Sequence, residues 1–455
     1  MAKISFCGIS GSGMSALAQV LKFSGHVVQG TDRNFDLKRD LKNQQALENI
    51  GIKIYPQDGS AIDNTIDYIC ASTAVEDNIP DIKVAKEKGI LIKTRPEVLS
   101  DIFHSYKYGI AIGGTSGKTT TTAMVGFILD KAGKKPCVIN GGLLRDYENN
   151  KGIPNVILNK GDICVVEADE SNGSISLYNP YISVINNISA DHKSLSELFD
   201  LFQQFSNRTT DVVIVNDDYE LCKKIQHKNL RTFSIKNAKA DFFANNIKPL
   251  PNGTQYSFRG RTYTLNLIGA FNVANALAAI AVCEQMGVDA NMAATILTDF
   301  HGTKRRLEII GSKNNITVID DFAHNPDKVK ASVSALRQYH GRLIVLFQPH
   351  GFGPMRSLGK EIIAEFVSNM TDDDILVMPE IFFVGGTVTK DISSKDLINH
   401  AHALGKDNAF FFDERTEAEN FILSQAKPGD RIIIMGARDN SLTDLCKDIL
   451  QRIDA

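Results

Sequence analysis

The stretch Tyr108–Met124, YGIAIGGTSGKTTTTAM, constrains this chain more than any other. Tyr108–Ile112 is a short apolar run suited to a buried strand, Gly113–Thr120 breaks it, and Thr121–Lys131 carries apolar residues at helical spacing. A strand, a glycine turn and a helix start together make a phosphate cradle. Glycines let backbone N–H groups approach the oxygens, the helix N-terminus favours negative charge, and Lys118 adds a full positive charge. The hydroxyl of Thr119 is placed to ligate Mg²⁺. The usual form has one more glycine, at the position of Ile112, so this loop is a compact G-x-x-G-K-T variant built from Gly114, Thr115, Ser116, Gly117, Lys118 and Thr119, with Thr120 following. A chance GKT in a surface loop is the plain alternative, and the flanking strand and helix weigh against it. The signal points to a nucleotide and not yet to a reaction.

At 455 residues the chain should form roughly two to four domains. Apolar residues at 43% and charged ones at 23% are ordinary for a globular protein with full cores. The net charge of −3 comes from 50 basic and 53 acidic residues spread along the chain, which excludes a basic nucleic-acid footprint. No apolar run reaches the ~18 residues of a membrane span, and MAKISFCGIS lacks the pattern of a signal peptide. Seven scattered cysteines with no C-x-x-C pair suit reduced thiols in a cytoplasmic enzyme.

The first hundred residues read as βα alternation. Lys3–Cys7 is an apolar strand, Gly8–Met14 (GISGSGM) a glycine turn, Ser15–Phe23 a helix, and His26–Gly30 a strand leading to Asp32. This opening suits a doubly wound sheet, with Asp32 near the distance of a ribose-binding acid. Its glycines depart from G-x-G-x-x-G, so a dinucleotide is one reading and another nucleotide or nucleotide-sugar a second. Strands at Asp67–Ala71 and Ile90–Lys93 come next, with a polar turn at Ser72-Thr73 and helices at Asp81–Lys88 and Glu97–Phe103. His104–Lys107 links this part to the phosphate loop.

Two further strands end in polar residues. Asp162–Glu167 runs into Asp169 and Glu170, and Tyr181–Asn186 into Asn187–His192. Carboxylate and imidazole groups at such strand ends suit Mg²⁺ held against phosphates, which singles out Glu167 and His192. The plain reading of Asp169 and Glu170 is a helix cap or a solvated residue, and it is taken for Glu170. Asn272 opens a long alanine-rich helix and is a candidate base or ribose contact. Lys304-Arg305-Arg306 is a basic cluster. A third αβ region begins near Ser312, with strands at Thr317–Asp321, Arg342–Phe347, Asp374–Met378 and Arg431–Met435.

The phosphate loop, EADES, ADH, GAFNVANA, DDFAHNP and FQPH, in this order, resemble the Mur ligases across nearly the whole chain. GISGSGMSALA and GGTSGKTTTTAM look most like the branch that acts directly on UDP-N-acetylmuramate. The resemblance implies an α/β fold of three domains: a Rossmann-like UDP-sugar domain at 1–106, a central P-loop ATP domain at 107–311, and a Rossmann-like amine-substrate domain at 312–455. It implies ATP and Mg²⁺ as cofactors and replaces the dinucleotide reading of the first glycine turn. The reaction implied joins the carboxylate of UDP-N-acetylmuramate to the amine of L-alanine through an acyl phosphate. A tripeptide or another amine is the alternative, and a non-catalytic nucleotide-binding homologue a further one. Neither nucleic acid nor a membrane span is implied, and the chain would be a monomer or homodimer.

The resemblance also implies roles by position. Lys118 would bind the β- and γ-phosphates, Thr119 and Glu167 one Mg²⁺, and His192 a second. Asn272 would meet adenine, and Arg305 or Arg306 the nucleotide. Asp321 and His324 would come from the third domain as it closes. Gly11, Ser12, Gly13 and Met14, with Ser72 and Thr73, would face the UDP moiety, and Asn140, Gly141 and Gly142 its sugar side. His350 and Arg356 would serve the amine substrate. The chain departs from the branch in carrying Ser116 where histidine is usual, and in reading Gly351-Phe352-Gly353-Pro354-Met355-Arg356 where the alanine-adding enzymes carry more arginines, here absent at Gly351 and Pro354.

Overall fold

The computed structural model describes residues 1–72, 78–170, 173–189, 194–383, 389–439 and 441–453. Among these the chain forms three sheets and separates into two compact units. The first unit comprises 1–247, 256–265 and 271–303, and the second 248–255, 266–270 and 304–455. The expected division at 311/312 falls inside the strand Glu308–Lys313, which pairs antiparallel with Ile316–Asp321 and so belongs to the second unit.

The first sheet runs Lys53–Tyr55, Val27–Thr31, Lys3–Cys7, Tyr68–Ala71, Leu91–Thr94, all parallel. The strand order reverses between Lys3–Cys7 and Tyr68–Ala71, and such switch points open a crevice at the carboxyl ends of the strands. Gly8–Gly11 and Ser72 leave the sheet there. The helix Ser12–Phe23 packs back over it and carries Gln19, whose amide donates to Asn155 Oδ1 (2.8 Å) and accepts from Ile153 N (2.9 Å). That buried amide pair fastens the first sheet's leading helix to the chain beside the second sheet.

In the second sheet, Tyr108–Gly113 lies between Ile163–Glu167 and Ile182–Ile185, parallel to both. Ile110, Ala111 and Ile112 are fully buried, as a strand covered on both faces requires. The helix after the loop starts at Lys118, earlier than its apolar pattern suggests. Gly117, left-handed at φ 84°, serves as its N-cap and puts Lys118 and Thr119 in the first turn. Residues Thr120–Leu129 are buried all round, so this is an interior helix, and the alanine-rich helix Ala270–Gln285 is likewise buried from Asn272 to Cys283. All seven cysteines are free and buried.

The third sheet, in the second unit, runs Glu308–Lys313, Ile316–Asp321, Arg431–Met435, Leu343–Phe347, Ile375–Pro379, Ala409–Phe412, parallel except at its first strand. The helices Pro326–Leu336, Phe352–Asn369 and Leu442–Arg452 bury apolar stripes against it. Among the described residues no helix is long and apolar enough to cross a membrane.

Candidate active site

Two glycines of the phosphate loop adopt positive φ where a Cβ would crowd neighbouring side chains. A Cβ on Gly114 (φ 128°) would lie 3.0 Å from Asn186 Cβ, and one on Gly117 would lie 2.6 Å from Asn275 Oδ1. The neighbouring strand end braces the loop from one side. Asn187 Oδ1 accepts from Ser116 N (2.8 Å) and Thr115 Oγ1 (2.6 Å), while its Nδ2 donates to Ser116 O (3.1 Å). Beneath it, Asn186 Nδ2 donates to Thr121 Oγ1 (2.9 Å), and Asn275 Nδ2 to Asn272 Oδ1 (3.1 Å). Sequence reading missed Asn187 and Asn275, whose signal was an amide directly after a strand and one on the buried face of a helix.

On the other side of the loop stands Glu167, at the end of its strand. Its Oε2 accepts from Thr119 Oγ1 (3.1 Å) and its Oε1 from Gly141 N (2.6 Å). A Cβ on Gly141 would meet that carboxylate at 2.7 Å, so the loop Asn140–Gly142 can approach it only as glycine. Asn140 turns its Nδ2 to Gly142 O (2.9 Å), and its buried Oδ1 has no partner among the described residues.

Lys118 Nζ donates to Gly114 O (2.6 Å) and to Glu170 Oε2 (2.8 Å). Glu170 is buried, which corrects its reading as a capping or solvated residue. Burial raises its carboxyl above the ordinary range, and the charge and hydrogen bond of Lys118 oppose that shift.

The hydroxyl of Thr119 and the carboxylate of Glu167 fit a hard cation. Oxygens in adjacent octahedral positions around Mg²⁺, each about 2.1 Å from it, stand about 3 Å apart, close to the 3.1 Å found. Among the described residues no group of three or more His, Cys, Asp or Glu could hold a metal alone. His192 and Thr73 lie outside the described residues.

At the first glycine turn, Gly11 caps the helix whose first turn holds Ser12, Gly13 and Met14, and Ser72 follows a neighbouring strand. Met14 is buried, its sulfur 3.9 Å from Cys70 Sγ, so its side chain serves the core. Asp32 accepts from Ser10 N and Asn34 N, both at 2.8 Å, bracing the turn through its carboxylate. Arg95 was missed: a Cβ on Gly13 would lie 3.1 Å from its Nη1, so a guanidinium flanks this helix N-terminus.

The second unit gathers its own polar groups at strand ends. Asp321 is buried, accepts from Ser332 Oγ (2.5 Å) and Leu307 N (3.1 Å), and is pushed up by desolvation. His324 is driven down to about 3, first by burial and then by Lys328, so its ring is neutral. Its Nδ1–H donates to Phe322 O (2.8 Å), which leaves the Nε2 lone pair as the acceptor. The His350 ring is 5.5 Å away, also lowered by burial, with no partner for Nδ1 among the described residues. Arg305 is turned inward, donating to Asp320 Oδ1 (3.2 Å), Asp439 O (3.0 Å) and Gly436 O (2.7 Å), so three of its donors are committed to its own unit. Arg306 lies 5.2 Å over the Phe322 ring. Arg356, the one arginine left in its segment, pairs with Asp391 and donates to Thr389 O (3.1 Å).

Family models match three successive stretches: Mur ligase family, catalytic domain, at 3–107, Mur ligase middle domain at 112–283, and Mur ligase, glutamate ligase domain, at 305–438. UDP-N-acetylmuramate–L-alanine ligase of Sulfurihydrogenibium sp. strain YO3AOP1 is 34% identical over 457 aligned residues, covering 97% of this chain and 96% of that one. The chain belongs to the Mur ligase family. The protein of the same description from Geotalea uraniireducens is also 34% identical, over 96% of this chain and 95% of its own. The Mur ligase fold is matched by the crystal structure of the UDP-N-acetylmuramate–alanine ligase MurC from Thermotoga maritima, with TM-score 0.81, 27% identity and 99% of both chains covered. A murein peptide ligase from Psychrobacter arcticus shares the fold at TM-score 0.70 and 23% identity, over all of both chains. As a Mur ligase the chain is an ATP-dependent, amide-forming enzyme of peptidoglycan precursor synthesis.

Proposed function

We propose that this ligase joins the carboxylate of UDP-N-acetylmuramate to the amine of L-alanine, releasing ADP and phosphate. The full-length similarity to proteins of that description supports the substrates. The observation that carries the site is Glu167, which accepts from Thr119 of the phosphate loop on one oxygen and from Gly141 on the other.

In this reading the loop amides and Lys118 hold the β- and γ-phosphates, and Asn272 lies on the adenine side. The first glycine turn (Gly11–Met14), Ser72, Thr73 and Arg95 hold the UDP moiety, and Asn140–Gly142 present the muramate. Thr119 and Glu167 would hold one Mg²⁺ and His192 a second, and these ions when bound would offset charge on the γ-phosphate. The substrate carboxylate attacks the γ-phosphorus, the bond to ADP breaks, and an acyl phosphate forms. The amine then attacks the acyl carbon and phosphate departs with the C–O electron pair. Each step brings anions together, so the work of the chain is mainly positioning and charge neutralisation. His324 Nε2, neutral and carrying its lone pair, is the proposed acceptor of the amine's proton, and the buried Asp321 carboxyl holds the backbone at Leu307.

A second reading keeps the first half-reaction and changes the amine. With Arg356 engaged by Asp391, and glycine and proline at 351 and 354, the segment offers little cationic grip on a free amino-acid carboxylate. A short peptide amine is the alternative. Phosphate release from ATP, Mg²⁺ and UDP-N-acetylmuramate against a panel of amines, with product masses, separates the two. Release with L-alanine supports the first reading, release only with peptides selects the second, and release with neither removes both.

A further inference from the structure

Lys118 is the charge the proposed site relies on, and it is already half neutralised from within. Two of its three N–H groups go to Gly114 O and to Glu170 Oε2, and both members of the ion pair are largely shielded, at 15% and 4% side-chain exposure. A buried carboxylate 2.8 Å from the ammonium competes with any phosphate for that ammonium. Away from solvent, little dielectric screening separates the carboxylate from an incoming phosphate. Glu170 lies past the end of the strand Ile163–Glu167, in a turn where Ile175 N donates to Asp169 O (3.1 Å) and Ser174 Oγ to the same carbonyl (3.3 Å).

We propose that Glu170 is an affinity-setting counter-charge: it shares Lys118 with the nucleotide phosphates and so holds their binding weak enough for ADP to leave. The idea rests on the reading of Lys118 as a phosphate ligand, and its consequence is opposite in sign to that of an ordinary site residue. Neutralising a residue that helps hold the nucleotide loosens binding, whereas neutralising this one tightens it. The side chain acts through Lys118 and is a positioning residue rather than a catalytic one.

The test is calorimetric titration of the full-length chain with ADP, without and with Mg²⁺, for the parent, Glu170→Gln, Glu170→Asp and Lys118→Ala. Charge removal by Gln should tighten ADP about tenfold without Mg²⁺, a change expected for one close charge contact. Asp, with its carboxylate drawn back from Lys118, should tighten it by a smaller factor. ADP release, followed by a fluorescent ADP analogue, should slow in the same order. Unchanged or weaker binding in Gln overturns the proposal, and if Gln does not fold, unchanged or weaker binding in Asp does so. Lys118→Ala separates the two levels. If it binds ADP as the parent does, the phosphate-loop reading itself fails; if it loses ADP while neither Glu170 variant tightens, only the role of Glu170 fails.

Discussion

Thr119 Oγ1 donates to Glu167 Oε2 across 3.1 Å, joining the first turn of the loop helix to the end of the adjacent strand. The two residues are distant in sequence, yet the parallel pairing of Ile112 with Glu167 brings them together. In the proposed site this hydroxyl and carboxylate would both serve as oxygen ligands of Mg²⁺. Thr119→Val keeps the shape and removes the oxygen. The half-saturating Mg²⁺ concentration in the phosphate-release assay should rise at least about tenfold, as for lost contacts at a metal site, with little change in melting temperature. An unchanged Mg²⁺ dependence would take Thr119 out of the metal site.

Gly117 fixes the loop by what it lacks. Alanine there would place a methyl 2.6 Å from Asn275 Oδ1 and 2.9 Å from Asn186 Nδ2 while holding φ at 84°. Gly117→Ala should cost about 1–3 kcal/mol of stability and abolish ADP binding. Chemical denaturation and calorimetry measure the two effects, and a stable variant that still binds ADP would contradict the geometry.

Arg305 separates a structural from a functional role. Its guanidinium donates to a buried carboxylate and two carbonyls within its own unit, so Arg305→Ala leaves Asp320 without its cation. Breaking such a pair costs about 3–5 kcal/mol. Denaturant unfolding should show that loss even without nucleotide. A variant of parental stability but weakened ATP affinity would restore the nucleotide-contact role expected from the basic cluster.

His324 links folding to pH. Its ring titrates near 3 in the folded chain against an ordinary 6.5. Between those values the unfolded chain binds a proton that the folded chain does not, so stability rises with pH through this window. The contribution is complete above about 6.5 and is lost as pH falls towards 3. Against His324→Gln, the parent should lose more stability between neutral pH and mild acid. Parallel stability curves for the two would show that the ring is not held neutral.

Sequence patterns were informative where the physics is local. The apolar run of Tyr108–Ile112, the glycines and the helical stripe after them locate strand, loop and helix within a few residues, because each depends on backbone chemistry nearby. Carboxylates at strand ends pointed to Glu167 for the same reason. Long-range pairing was not legible. Glu170 looks like a surface acid until Lys118 is folded beside it, and Arg95 gains meaning only when it meets Gly13 from far along the chain. Arg305, in a run of three basic residues, looks solvated, yet it adopts φ 58° and points inward to Asp320. The helix start was missed by a few residues because Thr119 and Thr120 carry no apolar signal, and the cap is a backbone property of Gly117.

The central claim is that a substrate carboxylate is phosphorylated before the amide forms, and isotope transfer tests it most directly. UDP-N-acetylmuramate labelled with ¹⁸O in its carboxylate is turned over with ATP, Mg²⁺ and the preferred amine, and the released phosphate is weighed. One ¹⁸O atom is expected in each phosphate, with ADP as the nucleotide product. Unlabelled phosphate, or AMP with pyrophosphate, would contradict the claim.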